Sequence, residues 1–111
     1  MHEWIKSFPA AITVCDKEGV ILEMNEKACA TFAAQGGEAL IGTSLFACHK
    51  PASIEKIRHI LASGGKNVYT IEKKGVKKLI YQQPWYKDGE IAGLVEISLE
   101  IPEVMEHHVR S

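Results

Sequence analysis

The sequence predicts an α+β fold, and three observations carry that prediction. Strand-like runs lie at the two ends of the chain, two before Asn25 and three from Asn67 onward. Helix-like segments fill the stretch between them. The chain has 111 residues, which is one domain and enough to bury roughly two thirds of its unfolded surface. Strands that segregate from helices in this way form α+β rather than alternating α/β folds.

The elements follow in order. "HEWIKSF" predicts a short helix with Trp4, Ile5 and Phe8 on one side, stopped by Pro9. "AAITVC" is short and β-branched and predicts a strand. "DKEG" (16–19) predicts a turn, with Asp16 opening it and Gly19 taking the left-handed position, so "VILEM" returns as the second arm of a hairpin. Asn25 suits a helix cap for "EKACATFAA", whose periodicity groups Ala28, Cys29 and Phe32 before Gly36 and Gly37 end it. "EALIG" predicts one more helical turn, closed by Gly42. "PASIEKIRHILASGG" predicts the longest helix, with Pro51 in its first turn, Gly64 at its end and Ile54, Ile57 and Leu61 as its buried stripe. His59 falls opposite that stripe and should face solvent. "NVYTIE", "VKKLIYQQPWY" and "IAGLVEISLEI" predict three strands joined by "KKG" and "KDG" turns. Pro84 has no amide hydrogen, so an irregularity is expected there. "PEVMEHHVRS" either begins a helix or frays.

Composition excludes several functions. Almost half the residues are apolar and about a quarter charged, with a net charge of −1, so no overall field draws the chain to nucleic acid or to an anionic membrane. "KKGVKK" (73–78) is basic but has no aromatic platform and reads as a soluble hairpin tip. No apolar run has membrane-spanning length, and the first residues lack the pattern of a secretory signal. A cytoplasmic protein or domain is therefore expected. Cys15, Cys29 and Cys48 are odd in number and lack C-x-x-C spacing, which argues against a disulfide framework and a zinc ribbon. No metal site is expected.

The same segments resemble the PAS domain family. The resemblance is carried by "AITVCDKEGVILEMNEKACATF", then "ALIG", then "YQQPWYKDGEIAGLVEISLEI", and it spans roughly residues 8 to 101. It implies a five-stranded antiparallel sheet with short helices and one longer helix on one face. It divides the chain into an N-terminal helical cap (1–8), the PAS domain (9–101) and a tail or linker (102–111). It also implies a sensory, non-enzymatic role: binding a small molecule, forming a homodimer, and regulating a kinase, cyclase or transcription-regulator output, including two-component regulation. Glu100, Ile101 and Pro102 stand where many members carry Asp-Ile-Thr, and Pro102 disfavours a smooth run into a signalling helix. The chain is expected to be either a small stand-alone protein or a piece of a longer sensor.

Against the cofactor-binding members the residues differ. Leu45 stands where flavin photosensors of this family place their reactive cysteine, and Ser53 where haem-binding oxygen sensors place the axial histidine. A haem or flavin sensor is kept as the alternative, and the cofactor is unassigned.

Period-two alternation in the last strand puts Val95, Ile97 and Leu99 under the helices and Glu96, Ser98 and Glu100 outside. The resemblance implies the reverse, with Glu96, Ser98, Ile80 and Gln82 inward. Val95, Ile97 and Leu99 then need cover from Trp4, Ile5 and Phe8 or from a second subunit. A buried Glu96 needs a partner, a ligand or a raised pKa. Cys48, His49, Gln82, Glu96 and Ser98 form the candidate ligand pocket. Cys48 and His49 alone are too few for zinc. They read either as a buried thiol and a loop imidazole or as ligand contacts. A small α+β enzyme using Cys48, His49 and Glu96 is the alternative from another class, and no nucleophile–base–orienter pattern supports it. No catalytic residue is assigned. Trp85 and Tyr86 read equally as an interaction anchor or as strand packing. His107 and His108 are expected in solvent.

Overall fold

The computed structural model describes all 111 residues apart from the side chain of Cys48. A one-turn helix α1 (Glu3–Lys6) precedes the hairpin of β1 (Ala11–Asp16) and β2 (Ile21–Met24). Asp16 shapes the turn between the strands: its Oδ1 accepts the backbone N–H groups of Glu18 and Val20, each at 2.9 Å. Gly19 completes the turn at φ +85°.

Asn25 caps α2 (Glu26–Thr31). The helix is shorter than the apolar pattern suggested. After Phe32 it tightens into a 3-10 turn (Ala33–Gln35), and the amides of Gln35 and Gly37 both reach the Phe32 carbonyl, at 3.0 and 2.9 Å. The tighter turn satisfies the last carbonyls within the bend that leads to Gly36 and Gly37. Two more 3-10 turns follow, Gly37–Leu40 and Leu45–Cys48.

The long helix α3 (Pro51–Ser63) starts on Pro51 and ends at Gly64, as its sequence predicts. Its buried face differs from expectation: Ile57, Ile60 and Leu61 are buried, whereas Ile54 is only half-buried. An open cleft lies beside the first turns of the helix, lined on this side by Ala52, Ser53 and Lys56. The buried residues of α3 all lie in its second half, from Ile57 onward. His59 is exposed.

Strands β3 (Asn67–Lys73), β4 (Val76–Lys87) and β5 (Glu90–Ile101) complete the sheet. Lys74–Gly75 and Asp88–Gly89 join them as two-residue turns with positive φ at both positions, 53° and 78° in the first and 52° and 79° in the second. That backbone twist matches the twist of paired strands. All pairings are antiparallel, in the order β2-β1-β5-β4-β3. The chain is thus the expected α+β fold, five antiparallel strands with α2 and α3 on one face, while α1 lies against the other.

Pro84 stays within β4, beyond the point where β3 stops pairing at Gln82, so it has a partner strand on one side only. The irregularity falls one residue later, between Trp85 and Tyr86. Trp85 lies across Gly93 and donates its indole N–H to the Cys15 carbonyl at 2.9 Å. A side chain at Gly93 would strike both groups. Trp85 is therefore packed into the sheet, and Tyr86, 57 % exposed, faces solvent. Residues after Ile101 form no regular element, and His107 and His108 are exposed. No helix is long and apolar enough to cross a membrane among the described residues.

The core lies between the sheet and the helices and is built from Cys15, Ile21, Met24, Ala28, Leu45, Ile57, Ile60, Leu61 and Leu94. Cys29 and Phe32 pack on its margin. Asn25 is the polar keystone of this core and is 1 % exposed. Its Oδ1 accepts the amides of Ala28 (3.0 Å) and Ile12 (2.9 Å). Its Nδ2 donates to the carbonyls of Ala10 (2.7 Å), Ile5 (3.1 Å) and Phe8 (3.4 Å). One side chain thereby caps α2 and fixes α1 and its following loop against the hairpin.

Candidate functional site

Strand register sets the site. Thr13 pairs with Glu96, Glu96 with Gln82, and Gln82 with Asn67, so one row of polar side chains crosses β1, β5, β4 and β3 on the inner face. Gln82 is 2 % exposed and Thr13 6 %. Buried polar groups must be paired, and here each pairing dictates the next. The Glu96 carboxylate can only accept, so the Gln82 amide turns its Nε2 toward it, donating to Oε2 at 2.6 Å. The Gln82 Oε1 then faces Asn67, whose Nδ2 donates to it at 3.1 Å.

His49 meets the row at Glu96. It sits between the Leu45–Cys48 turn and α3, a position held by three contacts. Leu45 donates its amide to the Gly19 carbonyl at 2.7 Å. Phe46 lies over Gly19, where even a β-carbon would come within 2.6 Å of the ring. The Arg58 guanidinium stacks on Phe46 at 4.5 Å from the ring centre. From there His49 reaches inward, with Nδ1 2.8 Å from the Leu45 carbonyl and Nε2 3.9 Å from Glu96 Oε2.

A carbonyl only accepts, so Nδ1 must carry a proton. A neutral ring would then point the Nε2 lone pair at a carboxylate, which is repulsive. The geometry therefore selects the imidazolium, an ion pair with Glu96 at a separation longer than a hydrogen bond. The Glu96 carboxylate raises the His49 pKa above 6.5, against the opposing effect of burial and with help from the Leu45 carbonyl. Burial pushes the Glu96 carboxyl up, but His49 and Gln82 outweigh it and hold the group below 4.5. Of the three alternatives expected for a buried Glu96, the structure supplies the partner.

Two spaces flank the row. The central pocket is lined by Thr13, Ile21, Met24, Phe32, Leu40, Leu45, His49 and Glu96 and retains about 20 Å³, room for about one water molecule. At the far end, an open cleft of about 220 Å³ lies between α3 and the β3–β4 edge, lined by Ser53, Lys56, Asn67, Tyr69 and Gln82. Gln82 touches the cleft and, through Glu96, the pocket.

Residues 5–106 match the family model described as the PAS fold. The chain belongs to the PAS family. Solved structures agree in architecture. The PAS domain here is similar to VqmA from Vibrio cholerae, solved with ligand and DNA (TM-score 0.69, 19 % identity, 87 % of this chain and 48 % of that one). It is similar to the Aer2 receptor of the same organism, described as a dual PAS-heme oxygen sensor (TM-score 0.62, 15 % identity, 84 % and 95 %). It is also similar to a sensory box sensor histidine kinase from V. cholerae (TM-score 0.63, 17 % identity, 90 % and 88 %). The chain spans about half the length of VqmA. No curated protein sequence matches it.

Of the residues singled out from sequence, His49, Gln82 and Glu96 come together in this PAS domain. Ser98 lies on the same face one row away, between Ala11 and Ile80. The Cys48 side chain lies outside the described residues. Thr13 and Asn67 belong to the row and were not singled out, because a Thr in a β-branched run and an Asn before a strand carry no signal of a shared site. On the outer face, Trp4 and Ile5 line a groove of about 650 Å³ with Ile12, Val14, Val95 and Ile97. Phe8 does not join them: it is 49 % exposed, and its carbonyl is tied to Asn25. Leu99 lies beyond the groove, paired with Leu79. Among the described residues, no three metal-ligating side chains converge.

Proposed function

We propose that this PAS domain is a sensory module that reads a small molecule at its inner face and regulates an output partner without catalysis. One observation carries the reading: the hydrogen-bonded row Asn67–Gln82–Glu96, with His49 as ion-pair partner of Glu96, links an open cleft to a small central pocket. A ligand that re-pairs Gln82 necessarily changes the partners of Glu96 on β5, the strand that leads to the C-terminal tail. Cys48, His49, Gln82, Glu96 and Ser98 are the proposed ligand contacts, with Asn67 added.

Haem and flavin do not fit this pocket. Cofactor-sized ligands occupy roughly 300–1,000 Å³, against about 20 Å³ here, and Leu45 and Ser53 replace the residues that such members use. Catalysis by Cys48 and His49 is disfavoured because both ring nitrogens of His49 already face other groups, leaving no free base. The apolar outer groove beside Trp4, which is 68 % exposed, supports a homodimer in which a second copy of α1 and its groove complete the cover.

Native mass spectrometry of the protein incubated with a metabolite extract tests both parts. A small adduct that is lost in Gln82→Leu, on a dimeric protein, is expected. A monomer that takes up nothing contradicts the reading.

A further inference from the structure

We propose that the central pocket is a binding site for a small organic cation with an apolar body, such as a protonated amine, amidine or imidazole, and that His49 fills it as a built-in stand-in. This rests on reading the inner face as a ligand site, and it names the class of ligand.

Three observations lead to it. The free space has apolar walls, Ile21, Met24, Phe32 and Leu45, and the one anion beside it, Glu96 Oε2, is covered by His49 and the Gln82 amide. The cation that meets this anion comes neither from the sheet nor from a helix but from the loop residue His49, which enters from the rim with its side chain 20 % exposed. The polar corner is full only because the imidazole is in it, since about 20 Å³ is otherwise free. A side chain placed in this way occupies the volume that an exogenous cation would take.

Charge decides which ligand displaces it. A cationic ligand exchanges one positive partner of Glu96 for another, so the carboxylate is paired in both states. A neutral ligand of the same shape leaves a buried carboxylate with only the Gln82 amide. An anion is repelled outright. Breaking a buried pair from one side is far more costly than exchanging it, so the pocket discriminates by charge before shape. Displacement also frees Nδ1 from the Leu45 carbonyl and thus loosens the segment that leads into α3.

The test uses His49→Ala, which leaves an imidazole-sized space; apolar cavities made by truncation bind small probes of matching size. Imidazolium chloride and the neutral isostere pyrazole are titrated at about pH 6, below the ordinary imidazole pKa, and binding is followed by amide NMR shifts and by the rise in Tm. Imidazolium should bind His49→Ala at least about tenfold more tightly than pyrazole does, and His49→Ala/Glu96→Gln should lose that preference. Equal binding of the two probes overturns the cation class and leaves the ligand site standing. Binding of neither overturns the pocket as a ligand site altogether. If His49→Ala does not fold in buffer, the same comparison is made by refolding: rescue by imidazolium alone upholds the proposal, and rescue by neither or by both overturns it.

Discussion

His49 faces Glu96 across 3.9 Å with its other ring nitrogen already committed to the Leu45 carbonyl. This relationship makes the core of the domain sensitive to pH from both sides. The His49 pKa is raised on folding, so its contribution is fully present below 6.5 and is lost as pH climbs through the folded value. The Glu96 pKa is lowered on folding, so its contribution is present above 4.5 and is lost as pH falls through the folded value. Urea titrations of the intact protein and of Glu96→Gln across this range should show the largest stability gap between those two limits, shrinking on both sides. A gap that does not change with pH contradicts the ion pair.

Removing one member of the pair differs from removing both. Glu96→Leu strands His49 and the Gln82 amide and should cost about 3 kcal/mol. His49→Leu/Glu96→Leu removes both charges, fills the corner with carbon and should recover most of that loss. Chemical denaturation of the single and double variants checks the sign. A Glu96→Leu protein more stable than the parent would show that the row is not a unit.

Asn25→Ala should be among the most damaging polar substitutions. It removes the α2 cap, worth about 1 kcal/mol, leaves the buried Ala10 carbonyl without this partner, at about 1–3 kcal/mol, and frees the part-buried Ile12 amide. Hydrogen exchange should also show α1 opening, because Asn25 holds the carbonyls of Ile5 and Phe8. Protection of α1 unchanged in Asn25→Ala would contradict this role.

Gly93→Ala probes a contact that composition does not reveal. The added methyl would meet the Cys15 carbonyl and the Trp85 indole nitrogen, so the β1–β5 pairing or the Trp85 bond must yield. A loss of about 3 kcal/mol is expected, with a change in Trp fluorescence. Stability within about 0.5 kcal/mol of the parent would contradict the close approach.

Much of the fold was legible because its punctuation is local. Asp16 and Gly19, Asn25, Pro51 and Gly64, and the two Gly-containing turns each act within a few residues, and each sits where the sequence placed it. The site was legible only in part. Alternation along β5 cannot say which of its two faces meets the helices, since Val95, Ile97 and Leu99 are also needed on an apolar outer face. Resemblance to the PAS family resolved that choice in favour of Glu96. Thr13 and Asn67 stayed hidden because their partners are assembled by strand register across the whole chain. Ile60 stands three residues after Ile57 and beside Leu61, a spacing that helical periodicity does encode, whereas the half-burial of Ile54 depends on how the first turns of α3 pack.

The central claim is that His49 enters this core as a cation against Glu96, and an NMR pH titration of the His49 ring tests it most directly. The account predicts a midpoint above 6.5 in the intact protein that moves down in Glu96→Gln. A midpoint at or below that value, unmoved by the substitution, would contradict it.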